Sequence, residues 1–115
     1  MTQVSIIHNP RCSKSRQTLA LLEEKGCDIQ IIEYLKTPLT QLEIRGILDK
    51  LAITPRQLMR TKEDEYKSQG LADIEDDELL LQAMVDTPKL IERPIVLANN
   101  RAAIGRPPEN VLSIL

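Results

Sequence analysis

Apolar and polar positions follow two regimes in this chain: short apolar runs near both ends, and helix-spaced patterns between them. Residues 4–8 begin apolar, at strand length, and give way to a turn at Asn9-Pro10. Residues 15–25 read as a helix with Leu19 and Leu22 marking its faces, and Gly26 is placed to stop it. Residues 29–33, carrying Ile29, Ile31 and Ile32, read as a second strand. Strand, helix and strand within roughly thirty residues make a βαβ unit, which implies parallel strands and a right-handed crossover.

The middle of the chain is helical. Thr40-Gln41-Leu42-Glu43 matches a capping box, with Leu42, Leu48 and Leu51 among the residues expected inside. Thr54-Pro55 marks a second helix start with proline at the first helical position. Asp76 or Asp77 begins a third helix that runs to about residue 85, before the Pro88 break. Residues 95–98 and 102–104 then read as two short strands joined by Asn99-Asn100, and Pro107-Pro108 leads into a final helix over 109–115. The order β-α-β, helices, β-β-α is the pattern of an α/β chain with a thioredoxin-like fold. That pattern implies a four-stranded mixed β-sheet flanked by helices, with a helical insertion at about 40–90 between the βαβ and ββα halves. The chain has 115 residues, and residues 1–115 are expected to form one domain.

Composition narrows the function classes. Charged residues make up 28% and the net charge is −2, so nothing points to a polyanionic partner such as nucleic acid. Trp and Phe are absent and only Tyr34 and Tyr66 are aromatic, so no platform exists for stacking bases. No basic segment followed by an apolar stretch opens the chain, and no apolar run reaches membrane-spanning length. Cys12 and Cys27 do not make a disulfide framework, and a reducing, cytoplasmic location is the simple inference.

Cys12 is the residue with the most chemistry in its surroundings. It falls at or just before the start of the first helix, where unpaired backbone N–H groups and the helix dipole favour an anion. Arg11, Lys14 and Arg16 surround it in sequence, and His8 ends the incoming strand. These features favour the thiolate and predict a pKa below the free value of about 8.5, so Cys12 reads as a nucleophile. Ser15 stands where a dithiol oxidoreductase has its second cysteine, and a hydroxyl can donate to the thiolate or cap the helix but cannot resolve a mixed disulfide. Cys27 lies beyond a helix rise of about 15 Å, too far to bridge to Cys12, and reads as a packing residue. No Cys or His partner at zinc-like spacing accompanies His8, so no metal site is expected. The position six after Cys12 is Thr18 rather than the arginine of a C-x5-R phosphatase loop, and the acidic run at 73–78 lacks the glycine and spacing of a calcium loop.

Several motifs together resemble the glutaredoxin-linked arsenate reductase (ArsC) family. They are His8-Asn9-Pro10-x-Cys12-x-x-Ser15-Arg16, Tyr34-Leu35-Lys36-Thr37-Pro38, Leu58-Met59-Arg60-Thr61, Ile91-Glu92-Arg93-Pro94-Ile95-Val96 and Gly105-Arg106-Pro107. The resemblance covers nearly the whole chain. It implies that Cys12 is the nucleophile and that Arg60, Arg93 and Arg106 hold an oxyanion. Arginine's planar donor fork suits a compact anion such as arsenate. Arg93-Pro94 precedes an apolar strand, where thioredoxin-like folds place a cis proline facing the reactive cysteine. For His8 the resemblance implies a role in promoting the Cys12 thiolate, by an imidazolium charge; the other reading is a satisfied polar residue at a strand end.

The implied activity is reduction of arsenate to arsenite through a Cys12 thiol–arsenate adduct. Glutathione is the implied co-substrate and glutaredoxin the partner that clears the mixed disulfide, with no tightly bound cofactor. Two alternatives stand beside it. One is a glutathione-dependent thiol-disulfide oxidoreductase with another substrate; the other is an Spx-type regulator that binds RNA polymerase, against which Ser15 in place of a second cysteine argues. Relatives nearest the biochemical model carry Ala-Cys-Gly-Thr-Ser at the nucleophile, where this chain has Arg11-Cys12-Ser13-Lys14-Ser15.

Overall fold

The apolar run near the N-terminus pairs on both sides. In the computed structural model, which describes residues 2–115, β1 (Gln3–Ile7) lies parallel to β2 (Asp28–Ile32) and antiparallel to β3 (Ile95–Ala98). Strand β4 (Arg101–Ile104) closes the far edge antiparallel to β3, giving the order β2-β1-β3-β4. The sheet is mixed and four-stranded, flanked by helices, and the fold is thioredoxin-like. The β3–β4 turn is the two-residue Asn99-Asn100 loop, both residues at positive φ (53° and 61°), the geometry that matches the twist of a tight hairpin.

Two compact units divide the chain: one built from the residues up to Thr37 and from Arg93 onward, the other from Pro38–Glu92. The first holds the sheet, helix α1 (Ser13–Glu24) and a 3-10 segment, Pro108–Ile114. Its core joins Val4 and Ile6 of β1, Leu22 of α1, Val96 and Ala98 of β3, and Val111 and Ile114, with Cys27 packed at its margin. Gly26 ends α1 at φ +71°, a left-handed position at which a side chain is strained. The C-terminal segment departs from the regular helix expected over 109–115. Its buried residues, Pro108, Val111 and Ile114, recur every third position, and three residues per turn aligns them where an α-helix would fan them apart.

Gly105 follows β4 and is pressed between two neighbours. A Cβ there would stand 2.5 Å from Thr18 Oγ1 and 2.8 Å from Pro94 Cγ. Thr18 is itself fully buried and donates to the Lys14 carbonyl at 2.8 Å, so it has little room to retreat. Gly105→Ala is expected to destabilise this unit by about 1–3 kcal/mol, as overpacking does. A urea titration checks it, and an unchanged midpoint would show that Thr18 and Pro94 yield freely.

The second unit is helical: α2 (Gln41–Leu51), α3 (Pro55–Leu58), α4 (Asp64–Ser68) and α5 (Asp77–Asp86), with 3-10 turns at Leu71–Asp73 and Pro88–Leu90. The Thr40 capping box forms as expected, Thr40 Oγ1 accepting from Glu43 N at 3.2 Å and Glu43 Oε1 from Thr40 N at 2.9 Å. Ile44, Ile47 and Leu48 form the buried face of α2, whereas Leu42, expected inside, is 79% exposed. Two residues before Ile44, it points about 200° around the helix from the face it was assigned to. Helix α3 stops after one turn because Met59 turns extended and bridges to Ile91. Among the described residues no helix is long and apolar enough to cross a membrane.

Candidate active site

Strand directions bring four chain segments to one end of the sheet. The loop His8–Cys12 leaves the C-terminal end of β1, and the segment after β2 leaves at the same end because the two strands are parallel. Arg93-Pro94 enters β3, antiparallel to β1, so it starts there too, and Gly105-Arg106 leaves β4 at that end. The peptide bonds before Pro94 and Pro107 are both cis.

Cys12 is the N-cap residue of α1, with extended backbone angles (φ −91°, ψ 124°). Asn9 sets this geometry twice: its carbonyl accepts from Cys12 N at 3.0 Å, and its side-chain oxygen accepts from Arg11 N, also at 3.0 Å. This is the local turn chemistry that asparagine provides, and it holds the nucleophile loop against the helix start. The partly exposed Cys12 thiol is held below its ordinary pKa. Burial works against the charge but is outweighed by the Ser15 amide, by hydrogen bonding to and the charge of Arg93, and by the Lys14 amide.

The cations that matter come from far along the chain. Arg11, Lys14 and Arg16, expected to favour the thiolate, are exposed, and Arg16 donates instead to the Pro10 carbonyl at 3.0 Å. Arg106 Nη2 stands 3.6 Å from Cys12 Sγ, and its Nε donates to the Arg93 carbonyl at 2.7 Å. Arg93 therefore serves the site with its guanidinium and orients the second arginine with its backbone. Asn110 adds a further tie, donating to the Arg106 carbonyl at 3.0 Å.

His8 and Ser15 form a buried pair beneath the loop. His8 Nδ1 lies 2.6 Å from Ser15 Oγ, and that oxygen also accepts from Asn9 N at 3.1 Å. Burial pushes the imidazole below its usual 6.5, Glu33 pulling it up and Arg16 down. Burial thus disfavours the charged ring, and promotion of the thiolate by an imidazolium charge, one of the two readings of His8, is not what this environment favours. The Ser15 hydroxyl is likewise committed to His8 and Asn9; the Ser15 group that acts on Cys12 is its backbone N–H.

A pH dependence follows. Because the folded pKa of His8 is depressed, its contribution to stability is complete above about pH 6.5. That contribution is lost as the pH falls through the folded value, since the unfolded chain takes up the proton first. His8→Gln is expected to flatten the decline in unfolding free energy between about pH 7 and about pH 5. Equal slopes for the two proteins would contradict it.

Arg60 belongs to the helical unit. The Met59–Ile91 bridge anchors it, with Arg60 N donating to the Leu90 carbonyl at 2.7 Å. Its Nε and Nη1 each lie 3.0 Å from a carboxylate, Glu63 and Glu92. Cys27 is a free thiol beside the core at the opposite end of α1 from Cys12. Asn9 and Gly105 are the residues that sequence reasoning left out of the site, although the Asn-Pro turn signal and the Gly105-Arg106-Pro107 motif pointed to both.

The match to known proteins runs the length of this arrangement. The model of the ArsC family fits residues 7–114, from the end of β1 through the C-terminal 3-10 segment. The chain belongs to the ArsC family. Among its relatives, an arsenate reductase of Neisseria meningitidis (serogroup A) is 49% identical over 117 residues, covering all of both chains. YfgD, an uncharacterised protein of Escherichia coli K12, is 56% identical over 98% of this chain and 97% of its own. The solved structure of an arsenate reductase from Vibrio cholerae superposes with a TM-score of 0.96 at 49% identity, covering 99% of this chain and 98% of that one. The ArsC assignment thus rests on full-length similarity, not on the nucleophile loop alone.

Proposed function

We propose that this ArsC-family chain is an oxidoreductase that reduces arsenate to arsenite through a monothiol cycle at Cys12. The observation that carries the reading is the placement of one sulfur, Cys12 Sγ, held below its ordinary pKa at a helix N-terminus beside Arg93 and Arg106. Arsenate is a tetrahedral anion, and guanidinium forks with helix amides offer donors to several of its oxygens. Arg60 enters the proposal with a smaller share, because an oxyanion there competes with the carboxylates of Glu63 and Glu92.

In the proposed cycle the Cys12 thiolate attacks arsenic, the S–As bond forms, and one arsenate oxygen leaves as water with protons from solvent. The thiolate of glutathione then attacks Cys12 Sγ. The S–As bond breaks with its electron pair going to arsenic, so As(V) becomes As(III) and arsenite departs. Cys12 is left in a mixed disulfide with glutathione, which glutaredoxin removes by taking the glutathionyl group onto its own thiolate. Ser15, its hydroxyl tied to His8 and Asn9, and Cys27, at the other end of α1, leave no internal thiol to do this. The same lack of a second thiol argues against a self-contained dithiol switch. A reducing cytoplasm, where glutathione and glutaredoxin are supplied, is the compartment this cycle requires.

Intact-protein mass spectrometry tests the cycle. The Cys12–glutathione mixed disulfide is expected only when arsenate and reduced glutathione are both present. Its formation at equal rate without arsenate would overturn the reading.

A further inference from the structure

A cleft of about 260 Å³ opens beside the Cys12 loop, bounded by His8, Pro10, Arg11, Glu33, Leu35 and Lys36. Its position follows from the strand order. With β2-β1-β3-β4 across the sheet, the segment after β2 and the two arginine-bearing segments lie on opposite sides of the loop that follows β1. Arg93 and Arg106 thus reach Cys12 from the β3 and β4 side, and the cleft flanks the His8–Arg11 loop that leads into it from the β2 side.

This opposition matters for attack at sulfur. Displacement there is in line: the incoming thiolate, Cys12 Sγ and the departing group fall close to one axis. A ligand held by Arg93 and Arg106 departs toward those arginines, so the incoming thiol arrives from the other side, where the cleft lies. The cleft also has the charges that a tripeptide thiol needs. Glutathione carries two carboxylates and one ammonium; the cleft offers two cations, Arg11 and Lys36, and one carboxylate, Glu33. Lys36 Nζ rests 3.6 Å from Glu33 Oε1, a solvent-exposed pair that a ligand can exchange at little cost. Leu35, 46% exposed, supplies an apolar side.

We infer that this cleft is the seat of the glutathionyl group, with Arg11 and Lys36 taking its carboxylates and Glu33 its ammonium. The inference rests on glutathione as the thiol donor of the proposed cycle, and it does not depend on which group leaves. It also gives the exposed Arg11 a task at the site.

The test needs no arsenate. Oxidised glutathione and an uncharged disulfide, hydroxyethyl disulfide, are each reacted with wild type, Lys36→Glu and Arg11→Glu, and the rate of Cys12 mixed-disulfide formation is followed by mass spectrometry. In each reaction the Cys12 thiolate attacks one sulfur of the disulfide and the other leaves as a thiolate. Both variants are expected to slow the reaction with oxidised glutathione by about tenfold. They should change the reaction with hydroxyethyl disulfide less than twofold, and the selective loss should shrink at high ionic strength. Equal effects on the two disulfides, or no effect on either, would overturn the cleft assignment. If the selective loss is found in a protein that does not turn over arsenate, the cleft stands and the arsenate reading falls.

Discussion

Cys12→Ser is expected to lower arsenate-dependent turnover by about a thousandfold or more while leaving the protein folded. The loss is chemical: an alcohol at this position stays protonated near neutral pH and forms no stable adduct for a thiol to reduce. The fold has no reason to suffer, because Cys12 is the N-cap of α1 and serine is a preferred residue there. Its oxygen can accept from the Lys14 or Ser15 amide, so the melting temperature should hold or rise slightly. Turnover near that of wild type would remove Cys12 from the mechanism. A large drop in melting temperature would show that the sulfur is there for packing.

Arg93→Ala is expected to have the second largest effect, because one side chain serves two steps. Its hydrogen bond and charge help to hold the Cys12 thiol below the ordinary range, and in the proposed cycle it also takes the oxyanion. Removing it should shift the pH profile of Cys12 alkylation by iodoacetamide to higher pH. It should also lower kcat/KM for arsenate by about a hundredfold, in keeping with loss of a charged hydrogen-bond donor. Arg93→Lys should restore much of the alkylation profile, which depends on charge, and little of the arsenate rate, which depends on the fork. Arg60→Ala should cost clearly less, since Glu63 and Glu92 already occupy its Nε and Nη1. An unshifted alkylation profile in Arg93→Ala would mean that the helix amides alone set the thiolate.

What the sequence revealed depended on how local each feature was. The β1–α1–β2 start, the Thr40 cap and the Asn99-Asn100 hairpin are written in contiguous residues, and all three formed. Helix α4 was not legible because it is one short turn whose single buried residue is Tyr66, too little for a periodic signal. Leu42 was misplaced because a capping box marks where a helix begins but not which way its faces point. At the site, the nucleophile was legible and its electrostatics were not. Arg11, Lys14 and Arg16 are near in sequence but solvent-exposed, whereas Arg93, with the helix amides, holds the thiol down. His8 shows the same limit: its neighbours in sequence do not reveal that burial lowers its pKa or that its ring meets Ser15.

The central claim is that this protein reduces arsenate with electrons from glutathione through Cys12. NADPH consumption tests it most directly, with glutathione reductase, glutaredoxin, glutathione and arsenate present, in wild type, Cys12→Ser and Arg93→Ala. The account predicts a rate that requires arsenate, disappears in Cys12→Ser and falls strongly in Arg93→Ala. A wild-type protein that shows no arsenate-dependent rate, while Cys12 still accepts glutathione, would contradict it.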